Sequence, residues 1–168
     1  MADFIVTEAF GGPGEAGEAQ IFEAVKAAYA GEDALGFWRY PLVTRETVRE
    51  PDILLAHPEL GLVVIEVKSL PLDLIVGVSG YRWELARPYY GKLAINPYEQ
   101  ARKQAQLLGE LAVRRGDLPG LGSRAIVALP LVTREAWDER FGHLLGDKAG
   151  LKCSEVGGML AELMIEGM

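Results

Sequence analysis

The sequence predicts a single α/β domain with a mixed central sheet flanked by helices, and three observations carry that prediction. Two short apolar segments, 52–56 and 62–67, flank a polar, turn-rich loop at 57–61, as paired strands do. Two longer stretches, 14–30 and 96–115, repeat small and apolar residues at helical spacing. A β-branched run at 124–130 follows the second of these, bounded by Gly122 and Pro130.

Residues 1–13 read as a lead-in and a loop, interrupted by Gly11, Gly12 and Pro13. The helix expected over 14–30 turns Ile21, Val25, Ala28 and Tyr29 inward, and sets Glu15 and Glu18 in its first turn, where the helix dipole favours anions. A turn at 31–35 precedes a strand over 37–43, in which Pro41 implies an edge or a bulge. A polar connection over 44–50 then leads into the strand pair. Beyond it, 70–77 is apolar but broken by Pro71, and 75–79 with 81–85 flank Gly80 as a second, smaller hairpin. Trp83 is expected at the edge of the core, and 88–94 is expected as a loop carrying Tyr89, Tyr90 and Lys92.

The second helix is the best marked. Asn96 serves as its cap, Pro97 takes the first helical position and Glu99 follows three residues after the cap. Ala101, Ala105, Leu108, Leu111 and Ala112 form its buried face, Gln100 and Gln104 border that face, and Gly116 stops it. After the strand at 124–130, an amphipathic helix over 134–145 turns Trp137, Phe141, Leu144 and Leu145 inward. The chain reads as helical again after Lys152, weakened by Gly157 and Gly158. It closes without a polar tail, as a domain cut from a longer protein would.

A chain of 168 residues, 49% hydrophobic and 24% charged, fits one domain with a sizeable core. One cysteine, Cys153, allows no internal disulfide and fits a reducing compartment. There is no apolar run of the roughly 20 residues that a membrane helix needs, and no signal-peptide pattern, so a cytoplasmic protein with no membrane partner is expected. Nothing matches a P-loop, a dinucleotide-binding turn, a zinc-ligand set or a Ser-His-Asp arrangement, and two histidines, His57 and His143, are too few to carry catalysis. The net charge of −7 argues against a general nucleic-acid binder. The charge is uneven, however: Arg82, Arg87, Lys92, Arg102, Lys103, Arg114 and Arg115 stand against only Glu84, Glu99 and Glu110 in one segment. Arg82, Lys92, Arg102 and Lys103 are therefore the candidate phosphate contacts.

The strand pair carries the chemistry. With the loop centred on Glu59, antiparallel pairing sets Asp52 across from Glu66, where like charges destabilise a sheet. Strand alternation puts Lys68 on the face of Glu66 and Val67 on the other. Taken singly, Glu-x-Lys is a common surface pair and Pro-Asp a common turn opener. Taken together, two carboxylates and an ammonium at one end of an apolar hairpin are best stabilised by a divalent cation. Hard carboxylate oxygens suit Mg²⁺, and such an ion suits phosphodiester hydrolysis. Asp52 and Glu66 are the expected ligands, and Lys68 the electrostatic partner.

The order helix, strand, strand, Pro-Asp to Glu-x-Lys strand, helix, strand resembles the PD-(D/E)xK nuclease superfamily. More narrowly, the chain resembles the NERD (nuclease-related) domains. Gly17-Glu18, Asp52, Glu66-Val67-Lys68, Trp83 after a glycine, and NPYEQARKQAQLL over 96–108 carry the likeness, across about residues 14–130. The resemblance implies an α-β-β-β-α-β core over 14–130, within a single domain of residues 1–168 and with an extension over 131–168. It also implies metal-dependent cleavage of nucleic acid, DNA foremost, in DNA processing or repair, with Mg²⁺ or Mn²⁺ as cofactor. By the same resemblance Asp52 and Glu66 are metal ligands, Lys68 is the catalytic lysine, Glu18 approaches the metal or its water, and Gln100 lines the site. The stretch 124–155 is similar to regions preceding Rep-type helicase motors, which implies a fused helicase. The alternatives are a catalytically weak or inactive domain that binds DNA or a partner for such a helicase, and a structural domain with solvated charges.

Overall fold

In the computed structural model, which describes residues 2–7, 11–12, 14–115 and 122–142, the chain runs β1 (Asp3–Val6), α1 (Ala16–Ala28), β2 (Leu35–Trp38), β3 (Leu42–Val43), β4 (Val48–Arg49), β5 (Ile53–His57) and β6 (Gly61–Val67). A 3₁₀ turn over Leu72–Leu74 follows, then β7 (Ile75–Ser79), β8 (Arg82–Tyr89), β9 (Lys92–Ile95), α2 (Pro97–Arg115), β10 (Ser123–Ala128) and α3 (Arg134–Phe141). The expected helix after Lys152, together with His143, Cys153 and the end expected for α2 at Gly116, lies outside the described residues.

The main sheet has the order β1-β2-β5-β6-β10. Its middle is the β5–β6 hairpin, in the register expected: Ile53 pairs with Ile65, Leu54 with Val64 and His57 with Gly61. Two features fix that register. Gly61 turns at φ 76, and a side chain there would collide with the Gly122 carbonyl, which accepts the Leu62 amide at 2.9 Å. In the loop, His57 Nδ1 accepts the Glu59 and Leu60 amides at 3.2 and 3.4 Å while Nε2 meets Glu32 at 2.7 Å. His57 is thus a loop fastener.

β6 is buried along all of its length, as a strand covered on both faces should be. Its alternation splits the core. Ile53, Leu55, Val63, Ile65 and Val67 pack with Ile21, Phe22, Val25 and Trp38 beneath α1. Leu54 and Val64 pack with Ala101 and Ala105 of α2, whose small side chains let the helix approach closely. Truncating Leu55 or Ile65 to Ala would cost about 2–5 kcal/mol. β10 returns parallel to β6, placing Val127 beside Glu66. A third cluster, around Trp83, Val127, Leu129, Trp137 and Phe141, joins α3 and the β7-β8-β9 sheet to that edge. Trp83, at 1% exposed, is in the core rather than at its edge.

Several local expectations are corrected. The lead-in contains β1, an edge strand parallel to β2. The strand expected over 37–43 begins at Leu35 and breaks after Trp38, because Arg39 takes φ 50 ahead of Pro41. Within 44–50, Thr44 and Thr47 close a turn through backbone and side-chain bonds, giving the two-residue β3–β4 ladder. Ala28 is exposed, and Phe22 and Ala24 take the inward places on α1. The loop expected over 88–94 is a hairpin: Tyr89 pairs with Lys92 around Tyr90 (φ 46) and Gly91 (φ 76).

Candidate active site

The end of the β5–β6 hairpin gathers the charges. Asp52 stands one residue before β5, and its Oδ2 accepts the Val67 amide at 2.7 Å. The backbone around it is held twice over: the Arg39 amide donates to the Asp52 carbonyl at 3.1 Å, and Gln104 Nε2 donates to the Glu50 carbonyl at 3.3 Å. Glu66 lies inside β6 at 1% exposure. Its Oε1 pairs with Lys68 Nζ, and its Oε2 is buried with no hydrogen-bond partner among the described residues. A buried carboxylate oxygen without a donor is costly unless a proton or a cation meets it.

The electrostatics record that cost. Burial, with the Asp52 charge second, pushes the Glu66 carboxyl up to about 7. Burial also raises Asp52, against the opposing pull of the Val67 amide, Lys68 and Arg39. Glu18 is raised by burial and then by Asp52, with Arg39 holding it back. Asp52, Glu66, Lys68 and Glu18 thus lie close enough for their charges to influence one another.

Glu18 arrives by close packing. Gly17 sets the first turn of α1 directly against Ser69, and any Cβ there would overlap the Ser69 hydroxyl and press on Pro130. Residues 17, 18, 68 and 69 are thereby brought to one place by a contact only glycine permits.

The residue that sequence reasoning missed is Arg39. Its guanidinium spans Glu15 at 2.7 Å and Glu18 at 3.1–3.2 Å, and it lies 5.5 Å from the Trp38 ring. Glu15 is held in turn by the Gly12 and Gly11 amides at 2.6 and 3.0 Å, which pull its carboxyl below the ordinary range ahead of the effect of Arg39. A lone cation inside an apolar segment, FWRYP, was the available signal. Gln100 is exposed on α2, and Gln104, one turn on, is the buried glutamine. Tyr89 also approaches the site. Burial first, then Tyr90 and the Asp52, Glu18 and Glu66 charges, push its phenol up to about 12.

The candidate phosphate contacts are dispersed. Arg102 and Lys103 are exposed on α2 and pair with Glu99 at 2.8 and 3.5 Å. Arg82 stands 3.8 Å from Glu84 on β8, and Lys92 is exposed on β9. No three His, Cys, Asp or Glu side chains among the described residues converge as a ready-made metal cage. Two carboxylates with one orphaned oxygen nonetheless suit a hard cation such as Mg²⁺, which keeps waters and binds through one or two carboxylates. No helix among the described residues is long and apolar enough to cross a membrane.

Compared with curated proteins, the chain has no match. Its residues 13–130, which hold every element from α1 to β10 and all four charged groups of the site, match the family model of the nuclease-related domain, and the chain therefore belongs to the NERD family.

Proposed function

We propose that this domain hydrolyses phosphodiester bonds in nucleic acid, with DNA as the substrate and Mg²⁺ or Mn²⁺ held by Asp52 and Glu66. One observation carries the reading. Glu66 is a buried carboxylate that gives one oxygen to Lys68 and leaves the other without a partner, beside a half-buried second acid, Asp52. A divalent ion bound there would supply a more acidic water and neutralise charge on the phosphate. The protein groups do the positioning. The Val67 amide fixes the orientation of Asp52, and Lys68 orients Glu66 while offering charge to the developing phosphorane. Glu18 brings a third carboxylate, with Arg39 limiting its repulsion, and Gln100, exposed on α2, is kept as a residue that would meet the substrate. DNA processing or repair in the cytoplasm, with a fused helicase motor as partner, is the setting we assign.

The test is cleavage of labelled single- and double-stranded DNA with Mg²⁺ or Mn²⁺. Lys68→Ala should lower cleavage by on the order of 10²–10³-fold, with metal and DNA affinity changed far less. Cleavage at full rate in that variant would remove Lys68 from the chemistry. A second reading, an accessory domain that binds without cutting, is favoured by the net charge of −7 and by Arg39 already engaging Glu18. Wild-type protein that binds metal and DNA yet releases no fragments would select it.

A further inference from the structure

The β8–β9 tip has features that its packing does not demand. Tyr90 is 77% exposed and sits at φ 46, a left-handed conformation that bulky residues seldom take. Two-residue hairpin turns of this kind favour Asn or Asp before glycine, so a tyrosine here carries backbone strain as well as exposed aromatic surface. Backbone strain of this kind clusters at active sites and ligand clamps.

The tip is also well placed. A methyl group built on Gly14 would stand 2.7 Å from the Tyr90 hydroxyl, so the ring reaches the loop that opens α1, immediately before Glu15 and Glu18. Tyr89 meets Tyr90 edge-on at 4.7 Å between ring centres, and its phenol lies within the influence of the Asp52, Glu18 and Glu66 charges. Arg87 and Lys92, on the two strands of the same hairpin, are both exposed.

We propose that the Tyr89–Gly91 tip is a stacking platform that holds an unpaired nucleobase of single-stranded DNA beside the Asp52–Glu66 cluster, with Arg87 and Lys92 meeting the neighbouring phosphates. The proposal rests on the nucleic-acid reading above and narrows it. Bases in a duplex are already stacked on each other, whereas an unpaired base presents its π-face to an exposed aromatic ring. The phosphates explain why both strands leading to the tip carry an exposed cation in an acidic chain. Duplex DNA would be excluded from this contact unless its end frays or a base is turned out.

The experiment is fluorescence anisotropy with a labelled oligothymidylate and with a labelled duplex, in EDTA, so that no cleavage occurs. Wild type should bind the single strand more tightly than the duplex. Tyr90→Ala should weaken single-strand binding by about 5- to 150-fold, the range for loss of one base–aromatic stack, with little change on duplex. Tyr90→Phe should bind as wild type does. The exposed position makes misfolding avoidable, and circular dichroism of each variant checks it. Absence of wild-type binding, equal affinity for the two DNA forms, or an unweakened Tyr90→Ala would overturn the proposal. Tyr90-dependent binding in a protein that never cleaves would leave it standing and overturn the hydrolytic reading alone.

Discussion

Glu66 with Lys68, and Glu99 with Arg102 and Lys103, are the same chemistry in two settings. Glu66 is 1% exposed, whereas the Glu99 side chain is 26% exposed and its partners 48% and 64%. Burial drives Glu66 up to about 7, while the hydrogen bond from Arg102 pulls Glu99 below its ordinary value. An exposed pair is worth about 0–1 kcal/mol, and a buried one involves desolvation several times larger. The contrast teaches that a charge is shifted by its setting rather than by the company it keeps along the chain. Glu99 engages Arg102 and Lys103 on the exposed face of α2, whereas Glu66 sits inside an apolar hairpin.

The strongest way to break the contrast is Lys68→Met. Left without its ammonium, Glu66 should make the metal-free protein about 3–5 kcal/mol less stable at pH 8, as expected for an unpaired buried charge, and far less so at pH 5, where the carboxyl is protonated. Urea unfolding at both pH values decides it. Equal losses would mean that the lysine stem, rather than its charge, does the stabilising.

Asp52 offers a finer cut. Asp52→Ala removes the acceptor of the Val67 amide and should cost about 1–3 kcal/mol, whereas Asp52→Asn keeps an acceptor, relieves repulsion and should leave the metal-free protein as stable or more so. Both should abolish any rise in thermal midpoint with Mg²⁺ or Mn²⁺. An unfolded Asp52→Asn protein would show that its charge, rather than its shape, is needed.

A pH series sharpens the comparison further. A folded-state value of about 7 for Glu66, above the ordinary 4.5, means that the folded protein holds an extra proton between those limits. The contribution of Glu66 to metal-free stability should therefore be fully present below about pH 4.5 and lost as pH rises through about 7, with Asp52 and Glu18 adding the same sign and the lowered Glu15 and Glu99 the opposite one. Glu66→Gln should flatten that decline. A slope unchanged in Glu66→Gln would assign it elsewhere. The smallest effect belongs to Glu99→Gln, which should shift stability by less than about 1 kcal/mol.

What the sequence made legible follows the range of the interactions involved. The β5–β6 register could be read because period-two alternation and a turn-rich loop are local signals. The start of α2 was equally local, in Asn96 and Pro97. With those two fixed, Asp52, Glu66 and Lys68 fell together. Arg39 was not legible, because its role depends on a left-handed backbone and on Glu18, 21 residues earlier in the chain. β9 escaped because a tyrosine occupies the turn position where asparagine is the usual cue. β1 escaped because four residues on a sheet edge, with Ile5 and Val6 exposed, show no alternation.

Glu66 also bears on how the chain emerges from synthesis. β6 pairs with β5 as soon as the hairpin closes, but its other neighbour, β10, lies beyond the three strands β7, β8 and β9 and the whole of α2. Until that parallel partner is made, GLVVIEV presents an unpaired apolar edge of the kind that recruits other chains. The one charge in those seven residues is Glu66, which interrupts what would otherwise be a strongly aggregating segment. The carboxylate that strains the finished protein thus guards the unfinished one, and Glu66→Val should yield a chain that precipitates during expression however stable its native state.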